Sequence, residues 1–191
     1  MIKFDIPWYR YALIAELAQR LETVKIQFGK TKLQKMIYFL QVIYGVDCGY
    51  DFELYSYGPF TSQLLGDLDQ VEHFGCITVI SNQWGYYDIL PTNKASALRL
   101  KDEEFLSNQR TKAALDSLVE TYGAMTAKDL ELRATIVYVE RDVRRKGNPA
   151  NKTNVSRLVG QIKPKFSILE IDQAVEELNN RGHTNMIDRP S

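Results

Sequence analysis

His73 and Cys76 stand three residues apart, and their types suggest chemistry more directly than any other pair in the chain. An imidazole beside a thiol can ligate a metal or activate a nucleophile. A metal site needs at least one further pair of ligands at suitable spacing. The remaining histidine and cysteine, His183 and Cys48, stand far from this pair in sequence. The local motifs that surround catalytic cysteines are absent. Gly29-Lys30-Thr31 repeats the end of a phosphate-binding loop, but that loop needs a glycine where Val24 stands. Asp67 and Asp69 project to different sides of a helix, and Asp67 and Glu72 also diverge, so a general acid–base pair on one face is not read there. No cofactor or metal is implied, and a non-enzymatic protein is expected.

The charges are more informative. Between Lys35 and Lys94 there is no lysine or arginine, while Asp47, Asp51, Glu53, Asp67, Asp69, Glu72 and Asp88 all fall there. The opposite bias lies further on, where Arg133, Arg141, Arg144, Arg145, Lys146, Lys152, Arg157, Lys163 and Lys165 face only Glu140 and Asp142 within 133–165. The whole chain is neutral, so this division cannot be seen in the total. A surface that meets phosphates needs cations. The acidic stretch lacks them, so nucleic acid could be met only through 133–165. The two segments could also pair within a chain or across a homodimer, a contact that salt would weaken.

The elements that carry these residues follow from periodicity. Trp8 to Val24 has one apolar helical face. A second helix, Lys32 to about Tyr44, is expected with Thr31 as its cap and Leu33, Met36, Ile37 and Leu40 inward. Asp51 to Tyr57 alternates like a short strand. Gly58-Pro59 is expected to turn the chain, with Pro59 in the first turn of a third helix that runs to His73. Ile77–Ile80 and Tyr86–Ile89 are expected to pair through the turn 81–85. Pro91 ends this module. Helices are then expected over 92–99, 103–122, 126–145, 153–161 and 167–180, with Ser167 and Glu170 as a capping box. The expected fold class is mainly α, with a winged-helix-like module carrying a small β-hairpin and a C-terminal helical extension. The expected divisions are an acidic module at 1–91, a helical extension at 92–182 and a flexible tail at 183–191.

Apolar residues make up 45% of the 191, enough for a real core. Two cysteines do not make a disulfide scaffold, and reduced thiols in a cytoplasmic protein are expected. Asp5 and Pro7 interrupt any apolar run at the start, so no signal peptide is read there. No stretch reaches the length of a membrane span.

Candidate partner-facing residues fall in three groups. Tyr55 and Tyr57 alternate on one strand and, with Pro59, can present an aromatic patch. Asp67 and Asp69 lie on the third helix, as an acidic face for a basic partner. Arg141, Arg144 and Arg145 share the last turn of a helix, where cations also suit the helix dipole, and Lys146 opens the loop that follows.

Lys32-Leu33-Gln34-Lys35-Met36-Ile37-Tyr38-Phe39-Leu40-Gln41, followed by Tyr55-Ser56-Tyr57-Gly58-Pro59-Phe60, resembles a pattern of the Panacea antitoxin-domain superfamily. The chain looks closer still to the related YwgA-like uncharacterised proteins. It shares with them Leu130-Glu131-Leu132-Arg133-Ala134-Thr135 and Lys163-Pro164-Lys165-Phe166-Ser167 before a last helix. The resemblance implies a mostly helical fold with a winged-helix-like hairpin. It also implies action by protein contact, such as neutralising a toxin or delivering it to a protease. The expected function is therefore a protein-interaction module, an antitoxin-like adaptor or regulator whose partner is another protein. A nucleic-acid-binding regulator using 133–165 is the alternative.

Overall fold

The computed structural model describes residues 6–24, 26–81, 83 and 85–186. These are mainly helical, with two small antiparallel hairpins. Their contacts gather into two units, one from Met1–Phe52 with Thr61–Ala127 and the other from Glu53–Phe60 with Lys128–Ser191. The sequence placed a division at residue 91 instead.

The first unit holds α1 (Trp8–Glu22), α2 (Lys30–Val42), α3 (Ser62–His73) and the strands β3 (Ile77–Ser81) and β4 (Tyr87–Pro91). It continues through α4 (Ala95–Arg99), α5 (Glu103–Ser107) and α6 (Gln109–Tyr122). Its core is built from positions of helical spacing: Leu13, Ile14 and Leu17, then Leu33, Met36, Ile37 and Leu40, then Leu64, Leu68 and Val71. Phe39 stacks on Tyr122 with ring centroids 4.4 Å apart. Burying such a set is the main source of stability in helices this short.

Several boundaries differ from the expected ones for local reasons. Gly29, not Thr31, is the N-cap of α2. A Cβ at Gly29 would lie 2.6 Å from the Tyr87 carbonyl oxygen of β4. The close approach admits only glycine, and the helix begins one residue later. The expected helix over 103–122 is interrupted at Asn108, whose side chain accepts hydrogen bonds from the N–H groups of Arg110 and Thr111 and starts α6 afresh. Ile77 pairs with Pro91 and Ser81 with Tyr87. Of the turn expected over 81–85, Asn82 and Trp84 lie outside the described residues. Gly75 follows α3 at φ 69°, as the αL position after a helix requires.

The second unit holds β1 (Glu53–Tyr55) and β2 (Gly58–Phe60), most of α7 (Ala127–Arg145), α8 (Lys152–Ile162) and α9 (Ile168–Asn180). Glu53 pairs with Phe60, Leu54 with Pro59 and Tyr55 with Gly58. Ser56 and Tyr57 are thus the two residues of the hairpin turn, and Gly58 leaves it at φ 84°. This corrects two expectations. Pro59 sits in a strand and not in the first turn of α3, which begins after the extended Thr61. Tyr57 stands at the turn, not on the strand face of Tyr55.

Asn151 caps α8 by accepting from the Asn154 N–H at 2.8 Å. Ser167 and Glu170 form the expected capping box on α9. The tail expected from 183 is ordered at its start. Thr184 and Met186 are buried, and the Met186 N–H donates to the Asn179 side chain at 2.9 Å. Residues 187–191 lie outside the described residues.

Candidate interaction surface

Two glutamates of the second unit are buried, Glu140 beside Arg144 and Glu131 beside the hairpin turn. Glu131 lies on the inner face of α7 and is buried. Lys163 Nζ donates to its Oε1 at 2.8 Å and Lys165 Nζ to its Oε2 at 2.8 Å. Pro164 separates the two lysines, which follow directly on α8. Lys163 is buried and also donates to the Ser56 carbonyl in the hairpin turn. Lys165 is half exposed and lies over two rings, 5.4 Å from the centroid of Tyr57 and 5.3 Å from that of Phe166. The turn of the β1–β2 hairpin is thereby fastened to the Lys163–Phe166 segment by hydrogen bonding, ion pairing and cation–π contact.

The two segments joined in this way, 55–57 and 162–169, both carry exposed apolar side chains. Tyr55 and Tyr57 are 67% and 62% exposed, and Ile168 and Leu169 on the first turn of α9 are 60% and 64% exposed. Ile162 is exposed as well. Among the described residues, every exposed large hydrophobic of the second unit falls within 55–57 or 162–169. Isolated exposed apolar residues are ordinary, whereas a gathered set marks a surface that excludes water against something else. Phe166 and Ile171 are buried and suit a hydrophobic staple below the α9 cap, so Ile168 and Leu169 are not needed for it.

The other candidate residues are placed less favourably for partner contact. Pro59 is buried in β2. Asp67 is buried too, accepting from the Tyr50 hydroxyl at 2.8 Å and lying 3.5 Å from Arg10. It is a core residue, not part of an acidic face. Asp69 is exposed on α3. Other acids of the cation-free stretch cap backbone: Asp47 accepts from Gly49 N–H, Glu72 from Val79 N–H and Asp88 from Phe28 N–H.

The basic stretch is likewise matched locally. Arg144 pairs with Glu140 and donates to the Asn185 carbonyl. Arg145 and Lys146 both hold Asp142, at 2.7 and 2.6 Å, and their hydrogen bonds keep its carboxyl below the usual range. Arg141 is exposed. The opposite charge sums read from the sequence are largely taken up by such local bonds, so they no longer favour a charge-paired homodimer.

His73 is exposed and Cys76 buried, where burial raises its thiol pKa. Burial pushes Cys48 up to about 12. Neither thiol has the lowered pKa of a nucleophile. Among the described residues no group of three or more histidine, cysteine or acidic side chains is placed to hold a metal, and no helix is long and apolar enough to cross a membrane. The first unit has an open groove of about 530 Å³ beside β4, lined by Leu21, Phe28, Ile80, Tyr86, Asp88 and Leu90 among others.

Sequence reasoning offered Tyr55 and Tyr57 as partner-facing, met Glu131, Lys163 and Lys165 only as members of the basic stretch or of the resembling motifs, and did not mark Ile168 or Leu169. The available signals were a glutamate inside the apolar face of α7 and two lysines straddling one proline. No protein-family model matches the chain, and no curated protein matches it.

Proposed function

We propose that the protein is a non-enzymatic interaction module that binds another protein through the β1–β2 turn and the segment 162–169. The observation that carries this is that, among the described residues, the second unit's exposed large apolar side chains all fall in 55–57 and 162–169, segments joined through Lys163 and Lys165. Tyrosines suit such a role because each offers a large apolar face with a polar tip and few rotors to freeze. We read α1, α2, α3 and the β3–β4 hairpin as a winged-helix-like arrangement. Its third helix has buried Asp67 and exposed Asp69 and no cation, which speaks against its use on DNA. An antitoxin-like adaptor or regulator fits this combination, in keeping with the resemblance to the Panacea superfamily and the YwgA-like proteins.

Placing a photo-crosslinking benzoylphenylalanine at Tyr57, with a control at Asp69, tests the surface in the native cells. One dominant protein adduct from position 57 supports it. Equal, diffuse labelling from both positions contradicts it.

The alternative, nucleic-acid contact through 133–165, is favoured by the exposure of Arg145 and Lys146 at the end of α7. Exposed ion pairs are weak enough to exchange Asp142 for phosphate.

A further inference from the structure

The chemistry of the partner segment can be read from the charges within the patch, given the interaction surface proposed above. Lys163 and Lys165 bring two ammonium groups to the single carboxylate of Glu131. Lys163 is buried and its donors go to Glu131 and Ser56. Lys165 uses one donor on Glu131, lies between the rings of Tyr57 and Phe166, and keeps about half of its side chain exposed. Glu131, Lys163 and Lys165 together therefore carry one positive charge in excess, beside the exposed Tyr57.

Two further carboxylates stand on the same segments, and Glu170 is balanced by Lys128, which lies 5.3 Å from the Phe166 ring. Glu170 is held by the Ser167 N–H and hydroxyl and lies 3.6 Å from Lys128. Glu53 pairs with Phe60 at the base of the hairpin, two residue pairs away from the turn. A positive charge beside exposed apolar side chains matches an apolar chain that brings its own acid. An approaching cation would meet Lys165 directly, at a cost set by like charge in a partly desolvated site.

We infer that this surface docks an extended or helical protein segment in which aromatic or leucine side chains flank an aspartate or glutamate. The apolar side chains cover Tyr55, Tyr57, Ile168 and Leu169, and the acid makes a charge-assisted hydrogen bond to Lys165.

The test uses the full chain as bait for a random-peptide phage library, with the wild type, Lys165→Gln, Lys165→Arg and Tyr57→Ser compared on the selected pool. The expected pool is apolar and acidic. Its retention falls at least about tenfold with Lys165→Gln and is restored with Lys165→Arg. A pool lost with Tyr57→Ser but free of acids and indifferent to Lys165→Gln overturns the acidic assignment and keeps the docking surface. A pool indifferent to Tyr57→Ser, or no enrichment over an unrelated bait, overturns both. Light scattering on the same proteins gives one further outcome. A dimer that Tyr57→Ser converts to monomer assigns the surface to a second copy of this chain and overturns the inference.

Discussion

Gln34 and Gln41 lie two turns apart on α2, and each holds the backbone N–H and C=O of one residue. Gln34 donates to the Thr61 carbonyl at 2.8 Å and accepts from the Thr61 N–H at 3.1 Å. Gln41 does the same with Tyr50, at 2.8 and 3.2 Å. The chain leaves the first unit just after Tyr50 and re-enters it at Thr61. The last stretch of chain before the hairpin and the first after it are therefore each held within the first unit by a glutamine of one helix.

Replacing Gln34 with leucine strands a buried N–H and a buried C=O at Thr61. Urea unfolding is expected to show a loss of about 2–4 kcal/mol, taking each stranded group at the usual penalty. Gln41→Leu costs less, because its bonds are only part buried and water can replace them.

These glutamines show where the sequence could and could not be read. The helices were legible because their apolar faces repeat over many residues, as in Leu33, Met36, Ile37 and Leu40. Caps at Ser167 were legible because both partners are local. The hairpin 53–60 was misjudged because Pro59 after Gly58 suits a helix start as well as a strand. The turn at Ser56 is held by Lys163, 107 residues away, a contact that no local pattern reveals. The acids were misjudged for a related reason: a sum over Asp47, Asp67, Glu72 and Asp88 does not reveal that each accepts a particular hydrogen bond in the fold.

Glu131 offers a second test. Removing one partner of a buried pair leaves the other charge uncompensated, so Glu131→Leu or Lys163→Met alone is expected to cost about 3–5 kcal/mol. The double variant is expected to cost much less than the sum, which a double-mutant cycle on unfolding free energies measures directly.

The pH dependence of stability should carry the signature of Lys32. This lysine is fully buried and donates to the Gly123 carbonyl at 2.6 Å. Burial lowers its pKa to about 8, against some help from Asp88. The unfolded chain holds the proton up to its ordinary pKa of about 10.4. Below about 8 both states are protonated and the folded state bears the full burial penalty. As pH rises from there toward the unfolded value, the unfolded state binds more protons, so the contribution to stability grows. Relative to Lys32→Met, the wild type is expected to gain about 1–3 kcal/mol between neutral pH and the unfolded pKa. Urea unfolding of both proteins across that range reads the difference.

Nucleic-acid affinity is expected to be weak, because the cations of α7 are shared with Asp142 and Glu140. Fluorescence anisotropy with a short labelled duplex should show little binding at physiological salt and little change with Arg145→Glu and Lys146→Glu. Tight, salt-sensitive binding that this pair of reversals removes would move the function to 133–165.

The most direct measurement is the partner stoichiometry of the tagged chain drawn from its native cells after nuclease treatment, compared with the Tyr55→Ser, Tyr57→Ser variant. Both side chains are exposed, so the variant is expected to stay folded by circular dichroism. The interaction reading predicts one stoichiometric protein that survives nuclease with the wild type and is lost with the variant. Retention of the same partner at the same stoichiometry by the folded variant would contradict it.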